Sequence, residues 1–245
     1  MSDHAERELQ DVLQDVEREM AGIENPFHAL EEEIQRFRGV VRGVLLSLSS
    51  AIAAKHFPIY EHSRRVSSIS AMIGVQFGFI GRELETLEYG GLLHDVGKIG
   101  MPEALLTKAT KLSDDEVRIM QGHPDRGDRI IRKVPDLDDI ANIVRWHHER
   151  EDGSGYPDRR TSGEIPVACR IVAAADTFDA LTTPRPFRPR ATPITPAMAT
   201  MQGLAGKKLD VDVVEALLRL EGDPALEKAL RNEFDGSSHL ISPAR

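Results

Sequence analysis

The run Leu92-Leu93-His94-Asp95-Val96-Gly97-Lys98 sets a histidine and an aspartate side by side behind apolar residues, with a lysine one turn later. Adjacent side chains on a helix point about 100° apart. The pair therefore cannot share one small target, but it can serve two neighbouring metal ions, with the carboxylate reaching between them. An isolated His-Asp pair would be read as an exposed helix end. Here His62 precedes it, and His123, His147-His148 and Asp176 follow. His62 shares a helical stripe with Val66, Ile69, Ile73 and Phe77, and His94 shares one with Leu84, Leu87 and Gly91. His147 falls in register with Leu137, Ile140 and Val144, and Asp176 with Ala168, Val172 and Ala175. Each polar group is thus on the inward face of a different predicted helix. An unpartnered buried carboxylate costs several kcal/mol, whereas one beside a cation is normal.

The ligand count closes on a pair of ions. Five histidines and two aspartates, with Asp95 bridging, leave positions on two octahedral ions for a bridging hydroxide and two substrate oxygens. Two divalent charges, less two carboxylates and a hydroxide, leave one positive charge, which matches a phosphodiester. Two-metal sites with ions roughly 3.5–4 Å apart suit in-line displacement at phosphorus. The expected ligands are His62, His94, Asp95, His123, His147, His148 and Asp176. Nitrogen-rich coordination without thiolate favours iron or manganese over structural zinc. Asp95 and Lys98 are the catalytic candidates, Lys98 being placed to touch a phosphate oxygen or the leaving group. Tyr156 could hydrogen-bond substrate. Arg185 and Arg188 could hold a second phosphate or stack on a base.

These residues need a scaffold. A chain of 245 residues suits one large domain, alone or with an appendage. Its 40% apolar content supplies a core, and only 5% aromatic residues makes aliphatic helix packing the way to fill it. A net charge of −9 argues against general nucleic-acid or anionic-membrane binding. The single Cys169 excludes a disulfide framework and a thiolate metal site. No run of 18 apolar residues and no signal-peptide pattern appears, so a soluble cytoplasmic protein is expected. Leu9, Val12, Leu13, Val16, Met20 and Ile23 form a stripe before Asn25-Pro26, and Phe27, Leu30, Ile34, Phe37, Val41, Val44 and Leu48 form another after it. The pair reads as a helical hairpin or short dimerising coiled coil, or as a cap on the main domain. Gly90-Gly91 permits a close helix neighbour, and Gly97 is placed to end its helix. Ser113 with Glu116 is a capping box. Further helices are expected over 136–148, 165–179, 195–204 and 211–220, with a short one from Pro224 and a frayed tail from 236. No alternating strand pattern appears. The fold class is therefore all-α: residues 1–44 an N-terminal helical region, 45–222 the metal-centred bundle, and 223–245 a short helix and tail.

The ordered set His62-Ser63-Arg64-Arg65-Val66, His94-Asp95-Val96-Gly97-Lys98-Ile99-Gly100-Met101-Pro102, His123-Pro124, His147-His148-Glu149, Asp152-Gly153-Ser154-Gly155-Tyr156-Pro157, Ile165-Pro166, Arg170-Ile171-Val172-Ala173-Ala174-Ala175-Asp176 and Phe178-Asp179-Ala180-Leu181-Thr182 resembles the HD-GYP domain, a branch of the HD metal-dependent phosphohydrolases. The resemblance covers roughly residues 45–220. It implies an HD-domain helical bundle with a di- or tri-metal centre. It also implies hydrolysis of cyclic di-GMP to pGpG or GMP, and coupling to a signalling partner. The chain departs from the pattern in four places. Pro58 stands where some members carry a glutamate for a third metal, so two ions are expected. Arg159-Arg160-Thr161-Ser162 replaces a glycine-leucine-lysine-glycine turn, and the loss of both glycines predicts a different backbone path. Lys108-Ala109-Thr110 replaces a lysine-proline-glycine turn, and Leu209-Asp210-Val211 a phenylalanine-aspartate-proline. The metal shell is kept while the substrate shell has changed. Alternatives are a cyclic dinucleotide receptor that cleaves slowly, a hydrolase for another signalling nucleotide, or a di-iron oxygenase.

Overall fold

The computed structural model describes residues 26–184, 188 and 190–233, with side chains from Leu30 onward. The first stripe of the expected hairpin and Arg185 lie outside these residues. Those described form helices and no strands, with isolated bridges that include Asp152–Thr161 and Ala205–Leu209. Contacts divide the chain into two compact units, Met1–Val44 and Leu45–Arg245.

Helix α1 runs Pro26–Lys55. Its segment Leu30–Lys55 is long and apolar enough, by length and composition, to cross a membrane, a test that core helices and leader segments also pass. Pro58 does not join this helix. It sits in the first turn of α2 (Phe57–Gln76), where its missing N–H costs nothing.

The second unit is a helical bundle. α3 (Arg82–Leu93) lies against α2 so closely that a Cβ on Gly91 would come within 2.7 Å of the Ser67 Cα. α8 (Val167–Thr182) is its central helix. Cys169, Ile171, Val172, Ala174, Ala175 and Phe178 are all fully buried, so it is apolar on nearly every face, as a helix surrounded by others must be. α9 (Ile194–Leu204), α10 (Val211–Leu218) and α11 (Pro224–Leu230) close the same core through Met198, Met201, Val213, Leu217 and Leu226.

On the other flank are α4 (Glu103–Leu106), α5 (Asp114–Gln121), α6 (His123–Ile131) and α7 (Asp138–Trp146). The Ser113 capping box opens α5 as expected. The sequence places His123 after a helix; the structure makes it the first residue of α6, with Pro124 in the opening turn. The segment His123-Pro124-Asp125-Arg126-Gly127-Asp128-Arg129 carries too few apolar residues to show a stripe. α6 is held instead by burial of Gly127 and Ile131 and by charged contacts along its exposed side. Gly97 does not end α3, which stops at Leu93. It sits inside a 3-10 turn, Val96–Gly100, where a Cβ would be 2.0 Å from the His123 carbonyl oxygen. Its role is to let that turn lie directly on the start of α6.

Candidate metal centre

Five helices deliver the expected ligands. His62 comes from α2, and His94 and Asp95 follow the last turn of α3. His123 opens α6, His147 and His148 follow α7, and Asp176 lies in α8. His62, His94, Asp95, His123 and His147 are buried at 0–5% exposure, while His148 and Asp176 are half-buried and mark the accessible side.

Their ligand atoms fall into three groups, each within 4.8 Å: His62, His94 and Asp176; His94, Asp95 and His147; and His123, His147 and His148. The first and last share no residue. Asp95 stands between them. Its Oδ2 lies 3.4 Å from His94 Nε2 and 3.9 Å from His62 Nε2, while its Oδ1 lies 3.1 Å from His123 Nε2. The two oxygens of one carboxylate thus face two separate sets of imidazoles.

The rings are aimed by their outer nitrogens. His94 Nδ1 is 2.7 Å from the Gly91 carbonyl, His123 Nδ1 is 2.8 Å from Met120 O, and His147 Nδ1 is 2.9 Å from Val144 O. A carbonyl only accepts, so each Nδ1 carries the hydrogen and donates, leaving the Nε2 lone pair facing inward. His62 is held differently, its Nδ1 lying 2.6 Å from Asp179 Oδ2, while Arg65 Nε donates to Asp179 Oδ1 at 2.5 Å.

Two features show that this donor set fits cations. His123 Nε2 and His147 Nε2 are 3.2 Å apart with both outer nitrogens already donating, so two lone pairs face each other with no hydrogen between. Asp95 Oδ1 is buried and makes no hydrogen bond. Both are costly unless a positive ion lies alongside.

The electrostatics agree. Burial pushes His147 and His148 well below the usual imidazole range, and the crowding of other imidazoles around His147 further disfavours a charge there, so both stay neutral and able to ligate. His123 is also lowered by burial, which outweighs Asp95. Burial alone would raise Asp95 and Asp176. Lys98 and His94 at the first, and His62 at the second, outweigh it and hold both carboxyls well below their usual range. Burial likewise opposes the Asp179 charge, but His62 and Arg65 bring it down to about 2.

The remaining candidates are placed as follows. Lys98 Nζ donates to Asp95 Oδ2 at 2.6 Å, so its charge is set against that carboxylate. The Tyr156 ring lies 4.7 Å from that of His148, on the accessible side. Burial, with the charges of Asp176 and Asp95, pushes its phenol up, so it remains a hydrogen-bond donor. Arg188 is engaged by backbone carbonyls rather than by the centre. Its guanidinium donates to the carbonyls of Ala180, Leu181 and Thr183, capping the end of α8.

Sequence reasoning missed three supporting groups. Asp179 and Arg65 orient His62; Asp179 follows Asp176 by three residues on α8, a spacing that puts both on one face. Glu149, 2% exposed, accepts from the backbone N–H of Asp158 at 2.7 Å and of Arg160 at 3.0 Å, tying the Tyr156 loop to the residue after His148. The same loop is clamped by Arg145, which donates to both oxygens of Asp158 at 2.7 and 2.8 Å, and by Arg160, whose guanidinium sits 3.7 Å over the Trp146 ring. After Pro157, Arg159 takes a left-handed φ of 57°, a conformation glycine adopts without strain.

A family model described as HD domain matches residues 47–213. The chain is 34% identical over 222 residues to a cyclic di-GMP phosphodiesterase of Thermotoga maritima, covering 87% of this chain and 60% of that protein. It is 36% identical over 180 residues to the cyclic di-GMP phosphodiesterase response regulator RpfG of Xanthomonas campestris, covering 73% and 47%. The chain thus spans about half the length of these curated relatives. Among solved structures, the cyclic GMP-AMP specific phosphodiesterase V-cGAP3 of Vibrio cholerae superposes with a TM-score of 0.60 at 21% identity, over 78% of this chain and 50% of that one, a likeness of fold. With a matching family model over more than half its length and the His-Asp bundle in place, the chain belongs to the HD domain family, in its HD-GYP branch.

Proposed function

We propose that this chain is a metal-dependent phosphodiesterase that hydrolyses cyclic di-GMP to pGpG or GMP. In this reading His62, His94, Asp95, His123, His147, His148 and Asp176 hold two divalent ions, iron or manganese. The observation that carries it is Asp95, whose two oxygens face two separate imidazole groups. When bound, such ions supply Lewis acidity and an activated water.

The chain's own residues do the rest. The backbone-anchored imidazoles present lone pairs without reorganising. Lys98 stands beside the bridging carboxylate, where its ammonium meets the charge of a phosphate entering from the His148 and Asp176 side. The Tyr156 phenol, kept protonated, donates to substrate at that mouth. Arg185 is proposed to meet the second phosphate; Arg188 would do so only by leaving the end of α8. A cytoplasmic location belongs to this reading, supported by the lone free, buried Cys169.

Anaerobically purified protein loaded with iron or manganese should convert cyclic di-GMP to linear product, followed by chromatography, and elemental analysis should return two ions per chain. Asp95→Ala should lower the rate by a factor on the order of 10³ or more, since it removes the bridge between both positions. Full activity in that variant would overturn the assignment. Tight nucleotide binding with no product from metal-loaded protein would instead identify a receptor.

A further inference from the structure

Helix α1 carries a row of apolar side chains that stand exposed among the described residues. Leu30 (53%), Ile34 (43%), Phe37 (51%) and Val44 (37%) face solvent, and Val41 and Leu48 are half-buried. From Leu30 to Leu48 they are spaced four, three, four, three, four residues apart. That is the heptad pattern, with Ile34, Val41 and Leu48 at a and Leu30, Phe37 and Val44 at d. A helix resting on a globular core needs a stripe with a period near 3.6 residues; a strict repeat of about 3.5 tracks a second helix winding around the first. In the sequence the same phase extends back through Phe27, Ile23, Met20, Val16, Leu13 and Leu9 with no residue skipped. Two helices folded back on each other across a turn have no reason to keep a common phase.

We propose that this face is the interface between two copies of the chain, paired as a parallel, in-register, two-stranded coiled coil. Branched Ile34 and Val41 at a, with Leu30 at d, favour two strands. The flanking charges set the direction. Glu33 occupies g and Arg38 the next e, so in a parallel pair Glu33 meets Arg38 of the partner subunit, twice by symmetry. An antiparallel pair centred near Arg38 would set this guanidinium against Arg38 of the partner subunit instead. Val40, 61% exposed at g, widens the apolar seam. Glu32, Gln35, Arg36 and Arg42 occupy b, c and f, away from the seam. A membrane-spanning reading of the same helix would have to place Arg42 among the lipid tails, which a helix pair in water avoids.

The test uses the full chain. Sedimentation equilibrium should give twice the 27.2 kDa chain mass. Glu33→Lys or Arg38→Glu alone should raise the dimer dissociation constant on the order of tenfold, and the two together should restore it to near the starting value. Val41→Cys should form a disulfide-linked dimer under mild oxidation, since native Cys169 is buried and does not compete. A monomer at all concentrations overturns the proposal. If that monomer pellets with phosphatidylcholine vesicles, a membrane covers the seam; if not, the chain's own first residues do. A dimer unmoved by either charge reversal overturns the parallel register.

Discussion

At the residue scale, the centre depends on where hydrogens are kept. His62 is the ring whose outer nitrogen rests on a side chain, Asp179, and that carboxylate is in turn held by Arg65. Asp179→Asn can preserve the shape while removing the charge that orients the imidazole and raises its basicity. Metal affinity should fall roughly 10–100-fold, as for other groups that orient ligands, and competition with a chelator would measure it. An unchanged affinity would show that packing alone positions His62. Asp176 was legible in the sequence because an acidic residue on an apolar stripe demands a partner, and Asp95 because it stands beside an inward-facing histidine. Asp179 was harder to see: its partners come from α2, more than a hundred positions earlier, and no local pattern announces such a pairing. Arg188 shows the opposite limit, since its type suits a phosphate but its guanidinium is occupied by the end of α8.

At the scale of elements, helices with a continuous apolar stripe were readable to within a few residues: α2, α3, α7 and α8 lie where the periodicity puts them. α6 was not, because its residues are mostly charged and its helicity comes from the surface it covers. The Gly97 reading failed for a related reason. A glycine needed for close approach and a glycine needed to end a helix look identical in sequence, and only the neighbouring His123 carbonyl distinguishes them. The turn after Tyr156-Pro157 carries a testable consequence. Arg159 is exposed and left-handed, which costs a non-glycine residue roughly 1–2 kcal/mol, partly offset by the greater freedom glycine would have in the unfolded chain. Arg159→Gly should therefore stabilise the protein by about 0.5–1 kcal/mol, seen as a higher midpoint in urea with an unchanged slope. Destabilisation would mean that the arginine side chain contributes more than its backbone costs.

For the whole molecule, the centre gathers side chains from five helices that are otherwise held by apolar packing and a few ion pairs, so in the proposed reading ion binding and folding are linked. An ion that binds the folded state alone at a hundred times its dissociation constant adds about 2.7 kcal/mol of stability. Manganese should raise the thermal midpoint by several degrees, and a variant lacking both His147 and His148 should lose that response. A shift that survives in the variant would place the ions elsewhere.

Three of the imidazoles take their direction from main-chain oxygens at the ends of α3, α5 and α7. Every amino acid supplies such an oxygen, so no single exchange of neighbouring side chains can delete these anchors. The donor set proposed to grip cations is thereby insulated from drift in its surroundings. Lineages are at liberty to rewrite the mouth, and with it, in the reading proposed above, the choice of nucleotide, while the donors beneath stay in place.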